Sequence, residues 1–283
     1  MQNMFIQLIN LDKSKDRLKK CENIFHKNKI DVSNIRLSGT YGLKDVKIIK
    51  LDKNNKKTTE IDIGKFYKKQ IQLKENVIYE IFDKREPNFK ILYKFEPNKM
   101  IIKKKKRQRN LTIGEIGCML SHFRAINNIA KGKYAYGLIF EDDLQLANNF
   151  KEKLEHLIAK APKKWDILKL DGTSVRDLFK GNSHKSSFFF STLRYGFNKY
   201  FYNAKAELLH GVSGATGYLI TKSCAKNIIN ILKHNTINGL EGATDIFLYI
   251  TLPKRYKFRN IWHIKQPIVW QRGEKSNITA MGR

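Results

Sequence analysis

Tyr134-Ala135-Tyr136-Gly137-Leu138-Ile139-Phe140-Glu141-Asp142-Asp143 is the stretch on which the fold turns. Its first seven residues are apolar or small, as in a strand buried on both faces, and they pass without a linker into three consecutive acids. Upstream, Thr112 is followed three residues later by Glu115, the pattern of a capping box. Ile116, Met119, Leu120, Phe123, Ile126 and Ala130 then share one helical face, and Gly132 closes the helix.

Further out, residues 4–9 (Met-Phe-Ile-Gln-Leu-Ile) read as a first buried strand. Ser14 stands where a helix cap belongs, followed by an apolar stripe of Leu18, Cys21 and Phe25. Downstream, the pattern predicts a helix over 148–160, a strand from Trp165 to Leu170 and another near Gly217 to Ile220. A helix from Thr221 to about Lys233 follows, then strands near Phe258 to Ile264 and Pro267 to Trp270. Strands alternating with helices imply an α/β fold, a Rossmann-type, mainly parallel sheet with helices on both faces, in one domain over 1–283.

Residues 43–110 break this rhythm. Val77 to Phe82 and Phe89 to Tyr93 predict short hairpin strands, and the segment ends in the basic run Lys103 to Arg109. The segment reads as an inserted, variable, Lys-rich and solvent-facing subdomain. Its basic run is either a solvated face or an anion-binding surface.

The 283 residues carry 55 Lys+Arg against 26 Asp+Glu, a net charge of +29, with 41% hydrophobic residues. That apolar content excludes disordered and collagen-like classes. Lysine supplies 43 of the cations and arginine 12. Specific readers of nucleic acid favour the arginine fork, so the charge is a poor signature of that function. It suits an anionic membrane surface, where each lysine contributes about 1 kcal/mol, and equally a lysine-rich codon bias.

Cys21, Cys118 and Cys224 are widely spaced and form no Cys-x-x-Cys, so neither a disulfide framework nor a zinc site is expected, and a reducing compartment fits. The start lacks a basic segment leading into a long apolar one, and no run approaches the ~18 apolar residues of a membrane span. The expectation is a cytoplasmic protein, soluble or peripheral on the inner membrane face. The triplets at Asn110 and Asn277 have no glycosylation meaning there.

Acids at the carboxyl end of a strand sit where open α/β sheets bind ligands. In an extended chain Glu141 and Asp143 point the same way. Clustered carboxylates attract a divalent cation, and hard oxygen donors select Mg²⁺ or Mn²⁺, which bridge to a diphosphate. The alternative is a plain polar turn. The chain has no P-loop, Gly-x-Gly-x-x-Gly, Gly-x-Ser-x-Gly or His-Glu-x-x-His, which removes support for P-loop kinases, Rossmann dehydrogenases, serine hydrolases of that fold and zincins.

Several strings resemble glycosyltransferase family 25, the lipooligosaccharide-biosynthesis group. Ile9-Asn10-Leu11-Asp12 with Asp16-Arg17 is similar to the family's opening, and Gly114-Glu115-Ile116-Gly117-Cys118-Met119-Leu120-Ser121-His122 to its central signature. Leu138 to Asp143 resembles its strand ending in an acidic metal motif. Gly217 to Ile220 with Ser223-Cys224-Ala225, then Asp245, Pro267 and Ser276, resemble its later markers in order. Residues 43–110 lie outside the resemblance.

The resemblance implies a GT-A fold and an inverting, metal-dependent transfer of a hexose, galactose first, from a UDP-sugar to a lipid-linked or other oligosaccharide acceptor. Glu141 and Asp143 then become metal ligands, with Glu141 where the family has Asp, and Asp142 a ribose or metal contact. Asn10, Asp12 and Arg17 would read uracil or ribose, or serve only the loop and its caps. Glu115 is first a cap and second a donor contact. Asp245 is either the base that deprotonates the acceptor hydroxyl or a carboxylate favoured by a helix N-terminus. His122 reads as a hydrogen-bonded structural residue, His210 and His263 as outside candidates for a metal, and Cys118 and Cys224 as small buried hydrophobes. Asp171 either lines the acceptor side or makes a turn. Two rivals stand beside this reading: a basic nucleic-acid-binding protein and a non-catalytic relative of the family.

Overall fold

The computed structural model describes residues 4–31, 34–66, 77–94, 100–102, 105–107, 111–172, 200–203 and 214–273. The chain opens with β1 (Phe5–Asn10), α1 (Lys15–Lys27), β2 (Arg36–Ser38) and the short α2 (Gly42–Asp45). Ser14 occupies the cap position of α1, but its side chain makes no capping hydrogen bond. A first set of strands follows: β3 (Val46–Leu51), β4 (Lys57–Glu60), β5 (Ile78–Asp83), β6 (Lys90–Lys94), β7 (Met100–Ile102) and β8 (Lys105–Arg107).

Next come α3 (Ile113–Lys131), β9 (Tyr136–Glu141), β10 (Leu144–Leu146), α4 (Phe150–Ala159), β11 (Ile167–Lys169), β12 (Asp171–Gly172) and β13 (Phe201–Asn203). The chain continues with β14 (Gly217–Thr221), α5 (Lys222–His234), β15 (Thr236–Asn238), helical turns over 244–255, β16 (Ile261–Ile264) and β17 (Val269–Gln271). The capping box of Thr112 and Glu115 starts α3, and the Thr221 hydroxyl accepts from the Cys224 amide to start α5.

The central sheet has the order β13-β16-β11-β14-β9-β1-β2. It is mixed rather than mainly parallel in its pairings. β1 pairs in parallel with β2 and β9, and β11 with β16, whereas β14 and β13 run against their neighbours. The reversal at β14 has a local cause. The residue before it, Thr216, lies beside the end of β9, its carbonyl accepting from the Glu141 amide, so the next strand runs back along β9.

Both faces of this sheet are covered, and the period-two alternation decides which side chain goes where. Ile139, Ile167, Tyr218 and Ile220 pack with α3 and α5 in one core. Leu138, Phe140, Leu168 and Leu219 pack with Cys21 and Phe25 of α1 and Phe150 and Leu154 of α4 in the other.

The described strands β3, β5 and β6 of the 43–110 segment bury one face. Its sheet, order β15-β6-β5-β3-β4, takes its last strand from the carboxyl-terminal half of the chain. The facing residues Ile48, Ile81 and Ile91 stand in one cross-strand row and are buried in the core built by α3 and α5. Lys47, Lys57 and Lys90 pair with Glu60 and Glu80 on the outer side. Arg124 of α3 reaches into this sheet, donating to Asp83 at 3.0 Å and to Glu86 at 2.7 Å. Lys103, Lys104 and Asn110 lie outside the described residues.

Helix α3 is thus enclosed between two sheets and is buried on nearly every side, as an enclosed helix must be apolar all round. From Ile113 to Ala130 only Cys118 and Asn128 escape full burial. Close approach of α2 explains two glycines: a Cβ on Gly117 would lie 2.6 Å from the Thr40 carbonyl oxygen, and one on Gly42 would lie 2.3 Å from the Ile113 carbonyl oxygen. Among the described residues no helix is long and apolar enough to cross a membrane.

Candidate functional site

The three acids at the end of β9 and in the turn behind it are sent in three directions. Asp142, the first residue past β9, lies on the α1 side, where Arg17 pairs with its charge and Asn10 adds a hydrogen bond. Arg17 Nη1 donates to Oδ1 and Asn10 Nδ2 to Oδ2, each at 2.8 Å. Arg36 Nε in turn donates to Asn10 Oδ1 at 3.1 Å. Arg272 holds the turn itself, donating to the carbonyl oxygens of Asp142 at 2.7 Å and Leu144 at 2.9 Å. The Cys21 thiol also donates to the Asp142 carbonyl, and burial pushes that thiol up to about 11.

Glu141 goes the other way, onto α3. His122 Nε2 lies 3.0 Å from its Oε1, and Cys118 Sγ lies 3.8 Å from the same oxygen. The other ring nitrogen of His122 bonds the Tyr218 hydroxyl at 3.0 Å. Burial opposes ionisation of Glu141, but the His122 bond and charge, with the Lys169 ammonium, outweigh it and hold the carboxyl below its usual range. His122 is therefore a hydrogen-bonded residue, as expected, but one that touches the acidic motif. Cys118 departs from the expectation of a small buried hydrophobe, which Cys224 fulfils: it is half-exposed, and its sulfur lies 3.6 Å from Thr244 Oγ1.

Asp143 stands in the turn, two residues past the end of β9, so the extended geometry that would align it with Glu141 stops at Glu141 itself. Strand β17 positions it: Gln271 Nε2 donates to Oδ2 at 2.6 Å, and the Arg272 amide donates to its carbonyl at 2.7 Å. Its Oδ1 is buried and has no hydrogen-bond partner among the described residues. Burial, then the charge of Glu141, pushes this carboxyl up to about 7. An orphaned, buried carboxylate oxygen beside a second carboxylate is a donor set that suits a hard divalent cation.

Behind the motif, Lys169 is buried at the end of β11. It ion-pairs with Asp171, donates to the Gly214 carbonyl at 2.9 Å, and lies 4.8 Å from the centre of the Tyr249 ring. The Thr216 amide donates to the other Asp171 oxygen at 2.8 Å, so Asp171 has a structural role in this cluster although burial raises its carboxyl. The same Gly214 peptide reaches Asp245, its amide donating to Oδ2 at 3.1 Å. Asp245 sits in the first turn of the helical segment and accepts from the Ile246 amide at 2.9 Å. Burial first, then the charge of Glu141, push the Cys118 thiol well above its usual range, and the Asp245 charge adds to this.

The remaining expected residues are spread out. Asp12 is exposed at the rim, bonded to Arg36 and Ser38, which hold its carboxyl below the usual range. Glu115 has its carboxylate in the capping box, accepting from the Thr112 amide at 2.9 Å. His263 is buried beside the Tyr249 ring, and burial lowers it to about 3. His210, Asn277 and Ser276 lie outside the described residues.

Lys169, Gln271 and Arg272 carry no motif in the sequence, and Tyr218 stands there only within the marker string Gly217 to Ile220, without a role of its own. Lys169 shows in the sequence as a lone cation within the apolar run Ile167-Leu168-Lys169-Leu170.

The sequence model described as glycosyltransferase family 25 (LPS biosynthesis protein) matches residues 1–246. A human protein named inactive glycosyltransferase 25 family member 3 is 40% identical over 70 residues, 24% of this chain and 12% of its own length. Procollagen galactosyltransferase 1-A of Xenopus laevis is 38% identical over 65 residues, 22% of this chain and 11% of its own. A Haemophilus influenzae protein with a glycosyltransferase name is 28% identical over 165 residues, 58% of this chain and 52% of its own. The chain therefore spans a small part of the two vertebrate relatives and about half of the bacterial one.

Proposed function

Since the chain belongs to glycosyltransferase family 25, we propose that it is an active, inverting enzyme of GT-A architecture. It would move a hexose, galactose first, from a UDP-sugar to a lipooligosaccharide or similar surface-glycan acceptor. The observation that carries this reading is the buried, unpartnered Oδ1 of Asp143 beside Glu141 at the carboxyl end of the central sheet.

Asp143 and Glu141 would hold Mn²⁺ or Mg²⁺, whose chemistry is that of a Lewis acid for the departing diphosphate. The chain's own residues do the rest. Asn10, Arg17 and Asp142 form a neutralised wall on the α1 side, against which the nucleoside is read, with Asp12 at the rim. Arg272 and Gln271 fix the turn so that the carboxylates meet a ligand already oriented, which is where preorganisation lowers a barrier. Asp245, half-buried and tethered through Gly214, takes the acceptor proton. Glu115 contributes by starting the helix that carries Cys118 and His122.

The +29 charge supports docking at an anionic membrane surface without a membrane-spanning helix. Salt-sensitive pelleting with anionic vesicles checks this, and salt-sensitive, metal-independent affinity for short DNA or RNA would favour the nucleic-acid reading instead.

The test of the transferase reading is a panel of UDP-sugars with and without Mn²⁺, followed by release of UDP. One donor turned over in the presence of metal supports it. Silence with every donor favours the non-catalytic alternative, which the inactive human relative keeps in view.

A further inference from the structure

Cys118, half-exposed on an otherwise enclosed helix, marks a second and chemically different place at the motif. Cys118 and His122 are four residues apart, so one face of α3 presents both. Strand alternation brings Glu141 to that same face. One ligand atom from each of the three residues lies within 4.8 Å of the other two.

We propose that Cys118, His122 and Glu141 form a binding site for a thiophilic divalent cation, with Zn²⁺ the ion of matching chemistry. A thiolate, an imidazole and a carboxylate are a soft-to-borderline set, whereas Mg²⁺ and Mn²⁺ prefer oxygen alone. The outer shell is built as well. The Tyr218 hydroxyl, 3.0 Å from His122 Nδ1, fixes the ring so that Nε2 faces Glu141.

Entry is provided by exposure: Cys118 and Glu141 are half-buried while His122 is fully buried, so an ion reaches the cluster from the Glu141 side and keeps a position open to water. Hydrogen bonding alone accounts poorly for Cys118, whose sulfur stands 3.8 Å from Glu141 and 3.6 Å from Thr244, at the long end of weak contacts. Binding takes the sulfur as thiolate, its proton passing to solvent, with no change of oxidation state.

Cobalt is the probe, because a thiolate on Co²⁺ gives an intense charge-transfer absorption that oxygen ligands do not. Titration of the metal-free full chain should raise this band to one equivalent, and Zn²⁺ should bleach it. Cys118→Ser should abolish it. Tyr218→Phe, which leaves all three ligands in place, should weaken Co²⁺ binding by about 10- to 100-fold. Cys224→Ser and Asp143→Asn should leave the band unchanged. Absence of the band, its survival in Cys118→Ser, or its loss in Cys224→Ser overturns the site. Glu141 is shared with the metal-binding role of the transferase reading, but none of these readouts uses a sugar donor, so failure of this site and failure of that reading are distinguishable.

Discussion

Asp142 and Glu141 are adjacent in the chain and opposite in circumstance. Asp142 turns to the α1 side, where Arg17 and Asn10 bond both of its oxygens. Glu141 turns to α3 and meets a buried imidazole and a half-exposed thiol. Asp143, one step on, keeps a buried oxygen without a partner. An acidic triplet is therefore not three equivalent ligands. The strand's end and the turn behind it deal its members to different faces, and the neighbours on each face decide which carboxylate is structural and which is left for a ligand.

The sharpest way to break this contrast is to neutralise the two extremes. Asp143→Asn removes the oxygen left for the metal and should lower transfer by about 100- to 1,000-fold, the equivalent of several kcal/mol of Lewis-acid stabilisation. Steady-state rates of UDP release read this directly. Its effect on stability should have the opposite sign. The folded carboxyl ionises near 7 against an ordinary 3.8, so the folded state keeps its proton where the unfolded chain has lost it. This group's contribution is full below about 4 and is lost as pH rises towards 7. The melting temperature of the metal-free protein should show that fall, and Asp143→Asn should flatten it.

Arg17→Met attacks the other side and should cost about 3 kcal/mol, because it leaves Asp142 charged, largely buried and short of its cation. Urea unfolding measures it, and a loss under 1 kcal/mol would mean that Asp142 is not neutralised as described. Gly117→Ala tests the enclosure that carries Cys118 and His122. Its Cβ meets backbone at 2.6 Å, and the strain should cost about 1–3 kcal/mol. The smallest effect belongs to the rim: Asp12→Ala removes an exposed ion pair and should change stability by less than about 1 kcal/mol. A larger rise in KM for the donor than loss of stability would confirm that Asp12 faces the nucleoside.

The elements were largely legible in the sequence. A capping box, an apolar stripe and a run of Tyr136 to Phe140 each state their own local structure, because caps and periodicity act over a few residues. What stayed hidden came from contacts between distant segments. β14 runs antiparallel because Thr216 must lie beside Glu141, a fact about residues 75 positions apart. The Lys-rich segment reads as solvent-facing because its lysines are visible, yet Ile48, Ile81 and Ile91 bury its inner face. Within the site, Asn10, Arg17 and Asp142 do converge, but on one another. Cys118 reads as a core residue because a lone cysteine on an apolar helix carries no sign that its face meets Glu141.

The most direct test is a crystal of the protein with UDP and Mn²⁺, located by the anomalous scattering of manganese. The account predicts the ion on Asp143 Oδ1 at the end of β9, with the diphosphate beside it. Manganese and UDP bound elsewhere on the molecule, with that oxygen still bare, would contradict it.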